Sequence, residues 1–283
     1  MTAIMLSTLK EAVRKKTFIV MGIITVLYLV LWNILLFFFM REVDSHGAMF
    51  RDMASHLLTT VGLNNSAMMI ALLTVMLAAG AVSSDLETGV IHAMLSRPLA
   101  RWEYILGKYL GFAAISCAYA TALYAVVLGT ASAFGLPTVT GLGFGQIAGG
   151  WMFFMLEPLV LICVTVFGSV GIRTVPNGIL MIFVFILGYI GGMVEQVGNM
   201  INNRNVIGSG IFLSLVSPFH TLYNSAARIL LPDMGLTGGM ASIAGGMAGG
   251  GSPASVWMYL YTGVYALGFL LLAVWKFSKK DVV

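Results

Sequence analysis

The run Phe18–Phe39, FIVMGIITVLYLVLWNILLFFF, decides the fold class. It carries no charged side chain, and Asn33 is its one strongly polar group. A helix of this length spans the hydrocarbon core of a bilayer, about 30 Å. Hydrocarbon offers backbone N–H and C=O groups no water, so a spanning segment must bond to itself, and a helix does that locally. Lys10, Arg14, Lys15 and Lys16 crowd its leading edge, where anionic headgroups would meet them.

Five further runs read the same way. They cover residues 61–82, 109–134, 151–171, 178–194 and 257–275, the last with Trp257 and Trp275 at its ends as interfacial anchors. With the N-terminus placed inside, the inner segments hold Lys10, Arg14, Lys15, Lys16, Arg97, Arg101, Lys108, Arg173, Lys276, Lys279 and Lys280. The outer segments hold Arg41, Arg51, Arg204 and Arg228, a balance of 11 against 4 that accounts for all 15 basic residues. The positive-inside rule then predicts both termini in the cytoplasm, in keeping with an even number of spans.

Composition points the same way. Hydrophobic residues make up 59% of the 283 and charged ones 9%, against about 25% charged in a soluble domain. A single all-α membrane domain covering 1–283 is the expectation. The basic residues flank apolar runs, so lipid headgroups rather than nucleic acid are their expected partners. Cys117 and Cys163 lie inside apolar runs with no metal-ligand spacing and read as small packing residues. The first run is too long for a cleavable signal peptide.

Three features lie outside the runs. Residues 1–16 read as an interfacial helix, with Ile4, Leu6, Leu9 and Val13 opposing Lys10, Arg14 and Lys15. The 196–256 segment holds an apolar piece at 207–216, a short helix after Pro218 and a Gly-rich linker from Gly235 to Gly251, so short or re-entrant helices are expected there. Residues 83–104 form an inner arm. The sequence from Ser83 is SSDLETGVIHAMLSRPLARWEYILGKYLG. Ser84 and Glu87 have capping-box spacing, Asp85 and Glu87 put negative charge in a first helical turn, and Val90, Ile91, Met94 and Leu95 share a face before Pro98. Leu95, Trp102 and Tyr104 beside Arg97 and Arg101 are the residue types that interface centres favour.

The order Ser84-Asp85-Leu86-Glu87-Thr88-Gly89, then Leu95-Ser96-Arg97-Pro98, Arg101-Trp102 and Gly107-Lys108 resembles the signature of ABC-2 type permeases. Lys10-Glu11 with Arg14, Lys15 and Lys16, and Ser217-Pro218, extend the resemblance across the chain. It implies the membrane subunit of an ATP-binding-cassette transporter, with a second permease copy or a related permease completing the path. It further implies a coupling helix between the second and third spans. Two copies of a separate ATPase subunit would dock there, bringing ATP and Mg²⁺. Asp85, Glu87, Leu95, Arg97, Arg101 and Trp102 are the expected contacts. No phosphate-cradling loop is read in the chain itself, because Gly107-Lys108 lacks the preceding glycine and is followed by Tyr109 rather than Ser or Thr. The chain is therefore not expected to be an enzyme alone. A channel or scaffold without an energy source is the alternative.

Two sets of side chains suggest finer chemistry. Glu157, before Pro158 in the fourth run, and Asn33 are candidates for a substrate path, since a carboxylate at bilayer depth costs about 2.5–3.5 kcal/mol and must face protein or water. The spacing of His46, Met49, Met53 and His56 puts all four on one side of a helix, a donor set that suits copper. The resemblance to ABC-2 permeases, taken with that pattern, implies the alternative of a permease serving metalloenzyme maturation. Ser209 and His220 are the residue types of a serine hydrolase, but they fall in the outer segment, and GSG is a weak match. Gly188, Gly191 and Gly192 suggest close helix contact, including contact between two permeases.

Overall fold

The computed structural model describes residues 2–43, 48–89, 101–231 and 255–279. Nearly all of these are helical, and among the described residues there is no strand. In chain order the helices are α1 (Thr2–Arg14), α2 (Lys16–Val43), α3 (Ala48–Ala78), α4 (Ser83–Glu87) and α5 (Arg101–Ala133). They continue with α6 (Pro137–Thr140), α7 (Phe144–Gly171), α8 (Thr174–Met200), α9 (Arg204–Val216), α10 (Phe219–Leu230) and α11 (Val256–Ser278). Among the described residues six are long and apolar enough to cross a bilayer: α2, α3, α5, α7, α8 and α11. Each of the six apolar runs lies on one of these helices, and most of the helices extend past their run. The largest extension is at the second. The second helix begins at Ala48 rather than near Val61, so most of the expected outer loop after the first span is helix. Thr59 and Thr60 return hydroxyl bonds to the Ser55 and His56 carbonyls and carry the helix through this polar stretch.

Burial sorts the bundle into a centre and a rim. In their most apolar stretches α3 and α7 are 78% buried, against 22% for α2 and α8 and 11% for α11. The exposed residues of the rim helices are large and apolar (Ile23, Leu27, Phe38, Phe183, Leu267, Leu271), the surface lipid requires and water would penalise. One core cluster joins Trp32, Leu63, Leu123, Phe154 and Leu230, and a second, toward the other end, joins Leu77, Tyr104, Phe112, Val166 and Phe277.

The segment after α8 folds back. Asn202 adopts φ 52°, a left-handed geometry Asn tolerates better than most residues, and the Asn203 side chain caps α9 by accepting from Asn205 N at 3.0 Å. Glycines of α8 then let α9 lie directly against it. A Cβ at Gly198 would meet Ile207, one at Gly191 would meet Leu213, and one at Gly188 would meet Ser217. Rising α9 numbers pair with falling α8 numbers, so the two helices are antiparallel. Of the glycines expected to make close helix contact, Gly188 and Gly191 therefore do so inside one chain, and Gly192 does so against His220 rather than against a second permease. α9 and α10 meet at 105°, and α10 runs back along α7, with Leu230 over Gly150. Short helices after Ile201 and Pro218 are thus present as a hairpin folded onto α7 and α8.

α1 is a distinct helix, broken from α2 at Lys15. Its buried stripe is Ile4, Thr8 and Ala12, while Leu6 and Val13 are exposed. This corrects the expected face, which grouped Ile4 with Leu6 and Val13. The reason is close packing: Gly111 of α5 sits so near Thr8 that a Cβ there would lie 2.7 Å from the Thr8 Cβ. Thr8 and Ala12, small enough for this approach, join Ile4 in the contact.

Candidate functional site

One end of the bundle gathers α1, α4, the start of α5, the start of α8 and the end of α11 around buried polar groups. Its centre is Asp85, on a helix of five residues that Gly89, with φ +72°, terminates. Tyr104 and Lys108 stand one turn apart on α5 and so point the same way. The Tyr104 hydroxyl donates to Asp85 Oδ2 at 2.5 Å, and Lys108 Nζ lies 2.8 Å from the same oxygen. The side chains of Lys108 and Asp85 are 3% and 9% exposed. Lys108 also reaches Glu11 of α1 at 3.2 Å, and Glu11 in turn holds Lys15 at 2.9 Å. Burial acts to raise Glu11, but Lys15 and Lys108 outweigh it and hold the carboxyl below its ordinary range.

Two further ties close the junction. The Tyr104 ring stacks on Phe277 of α11 with centroids 5.3 Å apart, and Arg101 Nη1 donates to the Ser278 carbonyl at 2.6 Å. That carbonyl is one of the acceptors a helix C-terminus leaves open, and a cation there also suits the dipole. On the opposite flank Asn177 Nδ2 donates to the carbonyls of Ala79 (2.8 Å) and Thr165 (3.1 Å), while Ser83 and Thr174 share a bond of 2.9 Å. A Cβ at Gly168 would lie 2.1 Å from Asn177 Oδ1, so the glycine makes room for the amide. α1 and the end of α11 both lie at this end, each tied to the start of α5.

The structure separates the expected contact residues by orientation. Asp85 turns inward to Lys108, and Arg101 turns toward α11. Glu87 and Trp102 face outward, Trp102 with 48% of its surface exposed. Lys10, Arg14 and Lys16 are exposed as well. Leu95 and Arg97 lie outside the described residues, as do Met94 and Pro98. The capping box does not form. α4 starts at Ser83 after Val82, with no side-chain cap, and Ser84 Oγ donates backward to the Gly80 carbonyl at 2.7 Å. The tight turn at 79–82 puts that carbonyl within reach before the forward amide. Arg101 and Trp102 belong to the first turn of α5.

Sequence reasoning read Tyr104 as an interface residue rather than a buried one, and it passed over Lys108, Glu11 and Asn177 as site residues. Lys108 offered a signal: a lone cation at the head of an apolar helix demands a buried anion. Asn177, next to Pro176, offered none.

The remaining candidates are dispersed. Asn33 donates to Leu29 O of its own helix at 2.8 Å. Glu157 is buried in α7, 1% exposed, and faces a small cavity with Asn64, Tyr189, His220 and Tyr223. His46 and the side chain of Met49 lie outside the described residues, Met53 is half-buried, and His56 is buried on α3. Among the described residues no three His, Cys, Asp or Glu side chains gather as metal ligands.

Compared with known protein families, residues 2–282 match ABC-2 family transporter protein. The chain belongs to that family. No curated protein matches it. An ABC-2 permease is a transport component rather than a catalyst, and this one is a multi-pass membrane protein.

Proposed function

We propose that this permease forms the translocation path of an exporter in the cell membrane, with the polar junction on the cytoplasmic side. Two copies of a separate ABC ATPase, carrying ATP and Mg²⁺, drive it, and a second copy or a related permease completes the path. The excess of basic residues at the junction end supports the orientation. The Asp85–Lys108 pair carries the reading, because it makes α4 a lever rather than a loose loop. Force applied at exposed Glu87 reaches Asp85 two residues away, and from there Lys108 on α5 and Glu11 on α1. Arg101 and Tyr104 pass the same displacement to α11. Buried ion pairs resist stretching because separation leaves each charge in a poor solvent.

Co-purification from the native membrane tests the pairing, and an ATPase subunit should accompany the chain. Within that complex, Glu87→Cys should cross-link to the ATPase. Charge reversal at Arg97 or Arg101 should leave the helical content intact while separating ATP hydrolysis from transport. A chain that purifies without an ATPase, or coupling retained in both reversals, would return the protein to the class of channels and scaffolds.

A further inference from the structure

Away from the junction, four helices contribute polar groups to one small cavity. Asn64 comes from α3, Glu157 from α7, Tyr189 from α8, and His220 and Tyr223 from α10. Ala67, Met68 and Phe185 complete the wall. The cavity has a volume of about 10 Å³, room for one water and too little for a substrate group. Glu157 Oε2 is buried here with no hydrogen-bond partner among the described residues. The aromatic groups have other engagements. Tyr189 donates to Asn64 Oδ1 at 3.4 Å, and Tyr223 donates to the Thr60 carbonyl at 3.3 Å.

The charge balance follows from this wall. No Lys or Arg lines it, so Glu157 has no fixed cation. Its ionisable neighbours are His220 and Tyr223 on α10 and Tyr189 on α8, with Tyr28 of α2 beyond them; α3 contributes only the uncharged Asn64. A bare carboxylate at this depth is costly, and so is a bare imidazolium. One proton between the two groups makes the cavity neutral whichever atom bears it.

The second half of the argument is position. His220 is the second residue of α10, at the 105° corner with α9. Its ring stands edge-on to Tyr189 (5.0 Å) and stacked on Tyr223 (5.9 Å). It also presses against Gly192, where a Cβ would lie 2.0 Å from His220 Cδ2. The imidazole is thus carried into the cavity by the hairpin and held there by α8.

We propose that Glu157 and His220 share one bound proton, bridged by a single water, and that this proton site exists only while the α9–α10 hairpin is seated on α7 and α8. Unseating the hairpin withdraws the imidazole and leaves the carboxyl to exchange its proton with solvent, so hairpin position and proton occupancy are linked.

Infrared spectroscopy of the full chain in lipid nanodiscs tests this. At neutral pH ordinary Asp and Glu side chains have lost their protons, so the carbonyl band of a protonated carboxylic acid reports a carboxyl that retains one. The wild type should show such a band, and Glu157→Gln should lack it. His220→Gln and Gly192→Ala both keep Glu157 but change what faces it, so each should shift the band. The proposal is overturned by a wild type without the band, by its persistence in Glu157→Gln, or by its removal on adding Na⁺ or K⁺, which would assign a metal cation. A band unmoved in His220→Gln refutes sharing, and one unmoved in Gly192→Ala refutes the hairpin's part.

Discussion

Replacing Lys108 with Met isolates the energetics of the junction. The substitution keeps length and apolar stem but removes the charge 2.8 Å from Asp85. Both side chains are almost fully covered, at 3% and 9% exposed, so solvent cannot take over the role of the missing ammonium. Stranding one member of a buried pair costs about 3–5 kcal/mol. Asp85 retains the Tyr104 hydroxyl at 2.5 Å, which places the cost near the lower limit, about 3 kcal/mol. At roughly 2–4 °C per kcal/mol for a large chain, the midpoint of thermal unfolding should fall by about 6–12 °C. The assay is tryptophan fluorescence of the detergent-solubilised chain during heating. The informative comparison is the double variant Asp85→Asn with Lys108→Met, in which no charge is left alone. It should be more stable than Lys108→Met by itself, a sign reversal that only a coupled pair produces. Equal stability of Lys108→Met and wild type, or a double variant as weak as the sum of the two singles, would refute the burial argument.

Gly188→Ala places a methyl 2.3 Å from Ser217 Oγ and 2.6 Å from its carbonyl oxygen, so it should destabilise by about 1–3 kcal/mol and loosen α9, read as faster amide exchange there. Gly22→Ala, with nothing within 4 Å, should leave α9 unchanged in the same experiment. Asn177→Ala removes two donor bonds at a fully buried position, and a loss of about 1–3 kcal/mol should appear in the thermal midpoint. Glu11 supplies a pH dependence. Its folded carboxyl titrates below the ordinary value of 4.5, so its contribution to docking α1 is present above that pH and disappears as pH falls through the folded value. Amide exchange in α1, corrected for its intrinsic rate, should accelerate in that acid window and should be insensitive to it in Glu11→Gln; the effect is small because Glu11 is 40% exposed.

Hydropathy and charge alone determined that this is an all-α membrane protein with six crossing helices, because a bilayer imposes one length and one backbone solution on every span. Motif order on Ser84–Lys108 was likewise readable, since it is a property of sequence. What each of those residues faces was not. Asp85 and Lys108 are 23 positions apart, and only the return of α5 beside α4 brings them to 2.8 Å. Ser84 had the spacing of a cap, yet a turn at 79–82 offered a nearer acceptor. The glycines of α8 announced close packing without naming the partner, which the fold supplied from within the same chain as α9. Glu157 was conspicuous as a lone carboxyl, whereas the imidazole opposite it comes from a helix 63 positions later. Solvent preference acts on each segment separately and so can be read along the chain, whereas partnership depends on which distant segments meet, and packing alone decides that.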